Sequence, residues 1–337
     1  MEQHTQENFE FVKKFSYRSY PGHRTSRFHR IMSLAIFEMT NTWKKSTIGK
    51  LILGFVLFSN ILVVFLVVPS LQMDLNDIGA SDKKEFVLGS IFITAMGFFS
   101  INPNNPIMPS DRLIISYSLN MGIIIIALLA IAGSGFFADD KQGKVLEIYL
   151  SKMKRDDYVI GKVLGMFFYC NLFITLPFMV ISIWMVQGLG QSHIDFLMTY
   201  AGLFLAGALI SFIFSIYILF LSSLVEKRAY ASLSFFIGYI LFDMLSQGLY
   251  ASNPSNELLL LVSPSYLISL LIYTLCGKWN LGLKEGDIFT VIEIHPLILN
   301  DKLGLEWWHI LGLTAFIIII GFLLLLFKIK RLTADEI

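Results

Sequence analysis

Four Gly-Lys pairs are the first places to look for phosphate chemistry: Gly49-Lys50, Gly143-Lys144, Gly161-Lys162 and Gly277-Lys278. A GxxxxGK[ST] loop wraps backbone amides around a nucleotide's phosphates and needs a glycine five residues ahead of the pair's own. None of the four has it, so no such nucleotide site is expected in this chain. HExxH and GxSxG are absent too, which removes the best-known zinc-peptidase and serine-hydrolase patterns. The histidines do not pair at ligand spacing. His4, His23 and His29 precede the apolar runs, while His193 and His295 belong to segments expected outside and His309 to the outer end of the last expected span. Cys170 sits inside an apolar run and Cys276 beside one, a placement that makes neither a disulfide framework nor a thiolate metal site. No catalytic residue, metal ligand or cofactor is assigned to this chain.

Asp243 is a different case, because it stands inside an apolar stretch. An unpaired charge there costs about 2.5–3.5 kcal/mol on insertion scales, so it needs a partner or a purpose. Ser232, Phe236, Tyr239, Asp243, Ser246 and Tyr250 recur at spacings of three and four, which puts them on one helix face. Ser116 and Asn120 make a shorter stripe of the same kind. At 1.5 Å per residue, Asn120 and Asp243 come to about 10 Å below the same surface. Two readings follow: a polar ring lining a substrate pathway, or a hydrogen-bonded Asp243 that fixes helix packing.

The elements that must position these residues are membrane spans. Of 337 residues, 55% are apolar and only 15% charged, well below the charged share of a soluble domain. The apolar residues come in runs of the length a helix needs to cross about 30 Å of hydrocarbon. Six spans are expected, at about 50–69, 113–137, 164–189, 196–224, 231–249 and 307–328. Residues 86–100 are too short to cross, and 258–276 are broken by Ser263-Pro264-Ser265. Lys and Arg placement supports this division, because short cytoplasmic loops are enriched in them. Six spans with both termini inside put 20 of the 26 basic residues on inner segments, counting Lys328 at the edge of the last span. The two leftover stretches are then re-entrant or interfacial helices on the outer side, within 70–112 and 250–306. The fold class is all-α, a multi-pass protein of the plasma membrane. Its net charge of +1 gives no field to attract nucleic acid.

Before the first span, Phe28, Ile31, Met32, Ala35 and Met39 recur at helical spacing, with Arg27, Arg30 and Glu38 between them. That predicts an amphipathic helix over 26–46, lying on the inner leaflet. The alternative is a helix packed on protein. Residues 1–25, with Pro21-Gly22 and mixed charge, are expected to form a flexible tail. They hold no apolar core ahead of a cleavage site, so the first span is expected to act as its own insertion signal. The six-span domain then occupies 47–337.

The segment 138–163 is the most informative. An acidic helix exit, Asp139-Asp140, is followed by Gly143, then a short helix with Val145, Ile148, Tyr149 and Met153 on one face. A basic cluster ending at Arg155 follows, and Gly161-Lys162 opens the next span. A short amphipathic helix held between two spans suits docking onto a soluble partner.

This segment resembles the loop between the second and third spans of type-2 ABC export permeases. Their pattern runs acid, Gly-Thr, a leucine-rich turn, Pro-Val-Ser-Arg, then Gly-Lys. Asp139, Gly143, Arg155 and Gly161-Lys162 fall at matching positions. Lys144, Lys152 and Lys154 stand where the family usually has Thr, Pro and Ser, and Glu147 falls one position late. The resemblance implies a permease subunit that forms the substrate pathway as a dimer with an identical or homologous second permease. It implies two copies of a separate ABC ATPase, carrying ATP and Mg, docked through the coupling helix. Asp139, Gly143, Val145, Glu147, Ile148, Tyr149, Arg155, Gly161 and Lys162 are the expected partner-coupling residues. Since the family's second and fifth spans face the pathway, Ser116, Asn120, Ser232, Phe236, Tyr239, Asp243 and Ser246 are the candidate pathway residues. Membrane lipids are the remaining expected partner. The competing classes are a secondary transporter or channel driven by an ion gradient, and a non-transporting scaffold subunit. The first usually places ionisable residues and inverted repeats within its spans, and these spans hold almost no charge.

Overall fold

The computed structural model describes residues 26–58, 61–62, 65, 91, 121–143, 149, 153–253, 257–275 and 307–332. Among these, every regular element is helical. In chain order they are α1 (Arg27–Lys45), α2 (Thr47–Phe58), α3 (Met121–Gln142), α4 (Arg155–Phe173), α5 (Thr175–Gly188), α6 (Leu197–Leu224), α7 (Arg228–Ser252), α8 (Pro264–Tyr273) and α9 (Trp307–Leu332). Five stretches are long and apolar enough to cross a membrane: Gly122–Gln142, Arg155–Gly188, His193–Leu224, Arg228–Tyr250 and Trp308–Lys330. The chain is therefore a helical multi-pass membrane protein. Of the expected first span, α2 is described and most of the remainder lies outside the described residues. So do nearly all of 70–112 and the stretches 254–256 and 276–306.

The span Arg155–Gly188 is two helices in one, because Pro177 has no amide hydrogen to give the Phe173 carbonyl. The break falls at Ile174, between α4 and α5. After α5 the chain turns on Gly190, whose φ is 67°. Gln191 N bonds Val186 O at 3.1 Å and Gly190 N bonds Gln187 O at 3.0 Å. These two bonds close the helix end, and the left-handed residue they require is a glycine. The turn returns the chain directly into α6.

Helix α6 is the centre of the bundle, packing against α3, α4, α5, α7, α8 and α9. Its small residues allow close approach: a Cβ at Gly207 would lie 2.6 Å from Thr175 Oγ1 and 3.0 Å from Thr175 Cα. Helices α7 and α9, by contrast, leave most of their apolar surface uncovered within one chain; Leu241, Phe242, Met244, Phe316, Leu323 and Phe327 are all exposed. The stretch 258–276 resolves into a 3-10 segment (Glu257–Val262) and the ten-residue α8, divided at Ser263. At about 1.5 Å per residue, α8 is too short to cross.

Helix α1 lies against α4, and this contact differs from the stripe read in the sequence. The buried face is Ile31, Leu34, Ala35 and Glu38, while Phe28 is exposed and Met32 and Met39 are half-buried. Hydrophobicity alone favoured the larger side chains. The rotation is instead set by two glycines on α4: a Cβ at Gly161 would meet Leu34 Cδ2 at 2.7 Å, and one at Gly165 the Ala35 carbonyl oxygen at 3.0 Å. Gly161-x-x-x-Gly165 is a shallow groove that admits the small side of α1. Ile36 and Phe37 remain exposed on the other side.

Candidate functional site

At the end of the bundle where α3 ends and α4 begins, charged side chains converge in a layer that is mostly closed to solvent. Lys162 is its centre and is 1% exposed. Its Nζ lies 2.7 Å from Glu38 Oε1 on α1, 2.6 Å from Asp140 Oδ2 on α3 and 2.9 Å from the Phe136 carbonyl oxygen. The rings of Phe136, Tyr149 and Tyr158 surround the same ammonium, with centroids 5.5–5.9 Å away. The Tyr158 hydroxyl donates to Asp140 Oδ2. One lysine thus joins α1, α3 and α4 and satisfies its three donors on two carboxylates and a carbonyl.

Electrostatically the cluster holds two acids against one base. Burial pushes the Glu38 carboxyl above its ordinary value of 4.5; the pull of Lys162 opposes this, and Asp140 adds to the rise. Burial together with Glu38 and Asp140 likewise raises the Tyr149 phenol.

A second tie runs parallel to the first. Arg27 Nε donates to Asp157 Oδ1 at 2.6 Å, the carboxylate being fully buried in the first turn of α4. An acid in that turn also meets the positive end of the helix dipole. Other contacts fasten the neighbouring helix ends. The Ser222 hydroxyl donates to Ser134 O at 2.7 Å and accepts from the amides of Phe137 and Ala138. Lys141 Nζ donates to Ser223 O, one of the last carbonyls of α6. Arg228, opening α7, gives two hydrogen bonds to the Ile131 carbonyl, at 3.1 and 2.8 Å, and its Nη1 lies 3.9 Å from Asp139 Oδ2. Gly135 leaves room for this, since a Cβ there would sit 2.8 Å from Asp139 Oδ2 and 3.4 Å from Arg228 Cζ.

The coupling residues expected from sequence therefore divide into three groups. Asp139 and Gly143 are exposed and Arg155 is half-buried. Tyr149, Gly161 and Lys162 face inward: Tyr149 and Lys162 belong to the ion cluster, and Gly161 seats Leu34. Val145, Glu147 and Ile148 lie outside the described residues. Asp157, Asp140 and Arg228 were not singled out from the sequence as parts of a site. Glu38 carried a signal, being a charge within the i, i+3, i+4, i+7 run of Ile31, Leu34 and Ala35.

The stripe on α7 is brought together as one face. Tyr239, Asp243 and Ser246 are buried, and Ser232, Phe236 and Tyr250 half-buried. That face looks into the chain's own interior. Asp243 Oδ1 accepts from the hydroxyls of Ser263 and Ser265, and the Ser246 hydroxyl donates to Leu259 O at 2.7 Å. Ser263 Oγ also caps α8 by accepting from Tyr266 N at 3.1 Å. The carboxylate that looked costly in a span is thus met by the serines that break the next apolar stretch. Ser116 and Asn120 lie outside the described residues.

No protein-family model and no curated protein matches the sequence.

Proposed function

We propose that this chain is the transmembrane permease subunit of an ATP-driven ABC exporter in the plasma membrane. It works as a dimer with a second permease and is driven by two copies of a separate ATPase docked on the 138–163 loop. In this reading it crosses the membrane six times, with both termini inside, and parts of 70–112 and 250–306 form re-entrant or interfacial elements outside. Helix α1 packs on α4 and offers Ile36 and Phe37 to the inner leaflet. The exposed apolar flanks of α7 and α9 meet lipid or the second permease.

One observation carries the proposal: the loop that resembles a coupling element stands on a rigid base. Lys162 holds the start of α4, the end of α3 and α1 together, while Gln142 and Gly143 at the loop's edge stay exposed. A force applied to such a loop moves three helices together, as an ATPase pushing from below requires. The ion pairs at this end also differ from the Asp243 region, where Asp243 Oδ1 accepts from the hydroxyls of Ser263 and Ser265.

The experiment is a reconstitution. Purified alone in lipid vesicles, the chain is expected to hydrolyse no ATP. With its cognate ABC ATPase subunit, hydrolysis appears and falls when Arg155 is reversed to Glu. ATP hydrolysis by the chain alone, or indifference of the assembled complex to Arg155→Glu, contradicts the proposal.

A further inference from the structure

A cavity of about 490 Å³ lies between α6, α7, α8 and α9. Ligand sites run from about 300 to 1,000 Å³, so its size suits a small organic molecule. Its wall is aromatic: Phe214 of α6 meets Phe235 and Tyr239 of α7 edge to face, at interplanar angles of 84° and 79°. Exposed Phe242 and Val262 mark its mouth. No charged side chain is among the described residues that line it. Gly238 keeps the space open, since a Cβ there would meet nothing within 4 Å.

One polar group of the lining is unmet. The Tyr217 hydroxyl donates to Ile317 O at 3.2 Å, Thr314 Oγ1 donates to Ile310 O at 2.8 Å, and Ser234 is exposed. The Tyr239 hydroxyl is buried and has no hydrogen-bond partner among the described residues. That state costs free energy until an acceptor is supplied. Asp243 Oδ1, one turn along, already takes the hydroxyls of Ser263 and Ser265. Tyr239 also stands midway between Arg228 and Tyr250, the ends of its span, about 16 Å from either. At that depth a phospholipid offers only hydrocarbon, because its headgroup stays at the surface of a core about 30 Å thick. The uncharged wall thus argues against an ionic ligand, and the unmet hydroxyl against a plain acyl chain.

We infer that this cavity binds an uncharged, ring-bearing apolar molecule that carries a hydrogen-bond acceptor and enters from the bilayer. Its rings pack edge to face against Phe214 and Phe235, an arrangement that aromatic pairs favour. Its acceptor takes the Tyr239 hydroxyl. Where it stands, that hydroxyl is closed to water, so the side chain turns toward the cavity as the ligand binds, a kind of rotamer change common on association. The site needs neither a second permease nor an ATPase and is independent of the exporter reading above.

The test uses the full chain in phosphatidylcholine nanodiscs with benzophenone, a neutral two-ring ketone that attaches to nearby C–H bonds on illumination. Adducts mapped by peptide mass spectrometry are expected on 210–221 and 262–271, and their yield should saturate with probe. Two competitors are compared at equal concentration in the bilayer: phenyl benzoate, which has a carbonyl acceptor, and diphenylmethane, which has none. Phenyl benzoate should compete about fivefold better, the worth of one hydrogen bond between neutral groups. Tyr239→Phe should erase that preference and leave the adducts on the same peptides. Gly238→Phe fills the cavity and should abolish them. Leu267→Trp does the same from α8, should Gly238→Phe fold poorly. Yield that rises without saturating, as when lipid chains hold the cavity, would overturn the inference. So would adducts confined to the outward faces of α7 and α9, labelling unaffected by both filling variants, or a competitor preference absent from the parent chain or unchanged in Tyr239→Phe. No ATPase or nucleotide is present, so failure here leaves the exporter reading intact, and failure of the reconstitution leaves this site intact.

Discussion

Lys162 Nζ and Glu38 Oε1 lie 2.7 Å apart across 124 residues of sequence, which fixes α1 to the first turns of α4. The same ammonium takes Asp140 from the end of α3. Removing the lysine leaves two carboxylates facing each other in a closed site. Breaking a buried pair this way costs about 3–5 kcal/mol. Lys162→Met is therefore expected to lower the melting temperature in detergent sharply. Adding Glu38→Gln should restore part of the loss, a coupling of about 0.5–3 kcal/mol in a double-mutant cycle. Additive effects would mean that the two side chains do not interact in the folded protein.

The same cluster predicts a pH dependence. Burial raises the Glu38 carboxyl above 4.5, so the folded chain binds that proton more readily than the unfolded chain. Its contribution to stability is fullest below 4.5 and declines as pH rises through the folded value. Glu38→Gln mimics the protonated form and should flatten that part of the melting-temperature profile. A profile with the same slope as the parent protein would remove Glu38 as its source.

The glycine groove predicts an asymmetry. At Gly165 a new Cβ meets a backbone carbonyl oxygen at 3.0 Å, whereas at Gly161 its nearest neighbour is the movable end of Leu34 at 2.7 Å. Gly165→Ala is expected to destabilise by about 1–3 kcal/mol, as overpacking does, and to make α1 more accessible to protease. Gly161→Ala should cost less. Equal sensitivity of the two sites would show that α1 does not approach α4 this closely.

How much of this was legible in the sequence depends on the kind of contact. Helical class and the positions of five apolar spans follow from run length, and the α7 stripe follows from period. Ser232 to Tyr250 lie on one face as their spacing required. What that face meets was not legible. Ser263 and Ser265 were read only as a helix break, because their pairing with Asp243 needs tertiary structure to bring α7 and α8 together. Likewise the Gly161-Lys162 pair was found by its order in the chain. Its physical task, seating Leu34 and binding Glu38, depends on a helix that precedes it by more than a hundred residues. The face of α1 was misplaced for the same reason: glycine shape and one ion pair outweigh side-chain size.

Asp243 offers a comparison between packing and pathway. Asp243→Asn keeps the shape and an acceptor for Ser263 and Ser265, so folding should survive. Asp243→Ala leaves both hydroxyls without their shared acceptor and should cost about 1–3 kcal/mol. If Asp243 also lines the pathway, Asp243→Asn lowers transport, and its defect combines non-additively with that of Asn120→Ala. Normal transport by Asp243→Asn and Asn120→Ala, with a stability loss only in Asp243→Ala, restricts Asp243 to packing.

The central claim is that a separate ATPase docks where the 138–163 loop emerges. Site-specific cross-linking tests it most directly, with a photoreactive benzoylphenylalanine placed singly at Gln142 or at Leu241. Both positions are exposed, one beside the loop and one on the outward face of α7. In membranes containing the proposed cognate ABC ATPase, the Gln142 probe should yield an adduct with that subunit and the Leu241 probe should yield none. An ATPase adduct from Leu241, or none from Gln142 with both subunits present, contradicts the account.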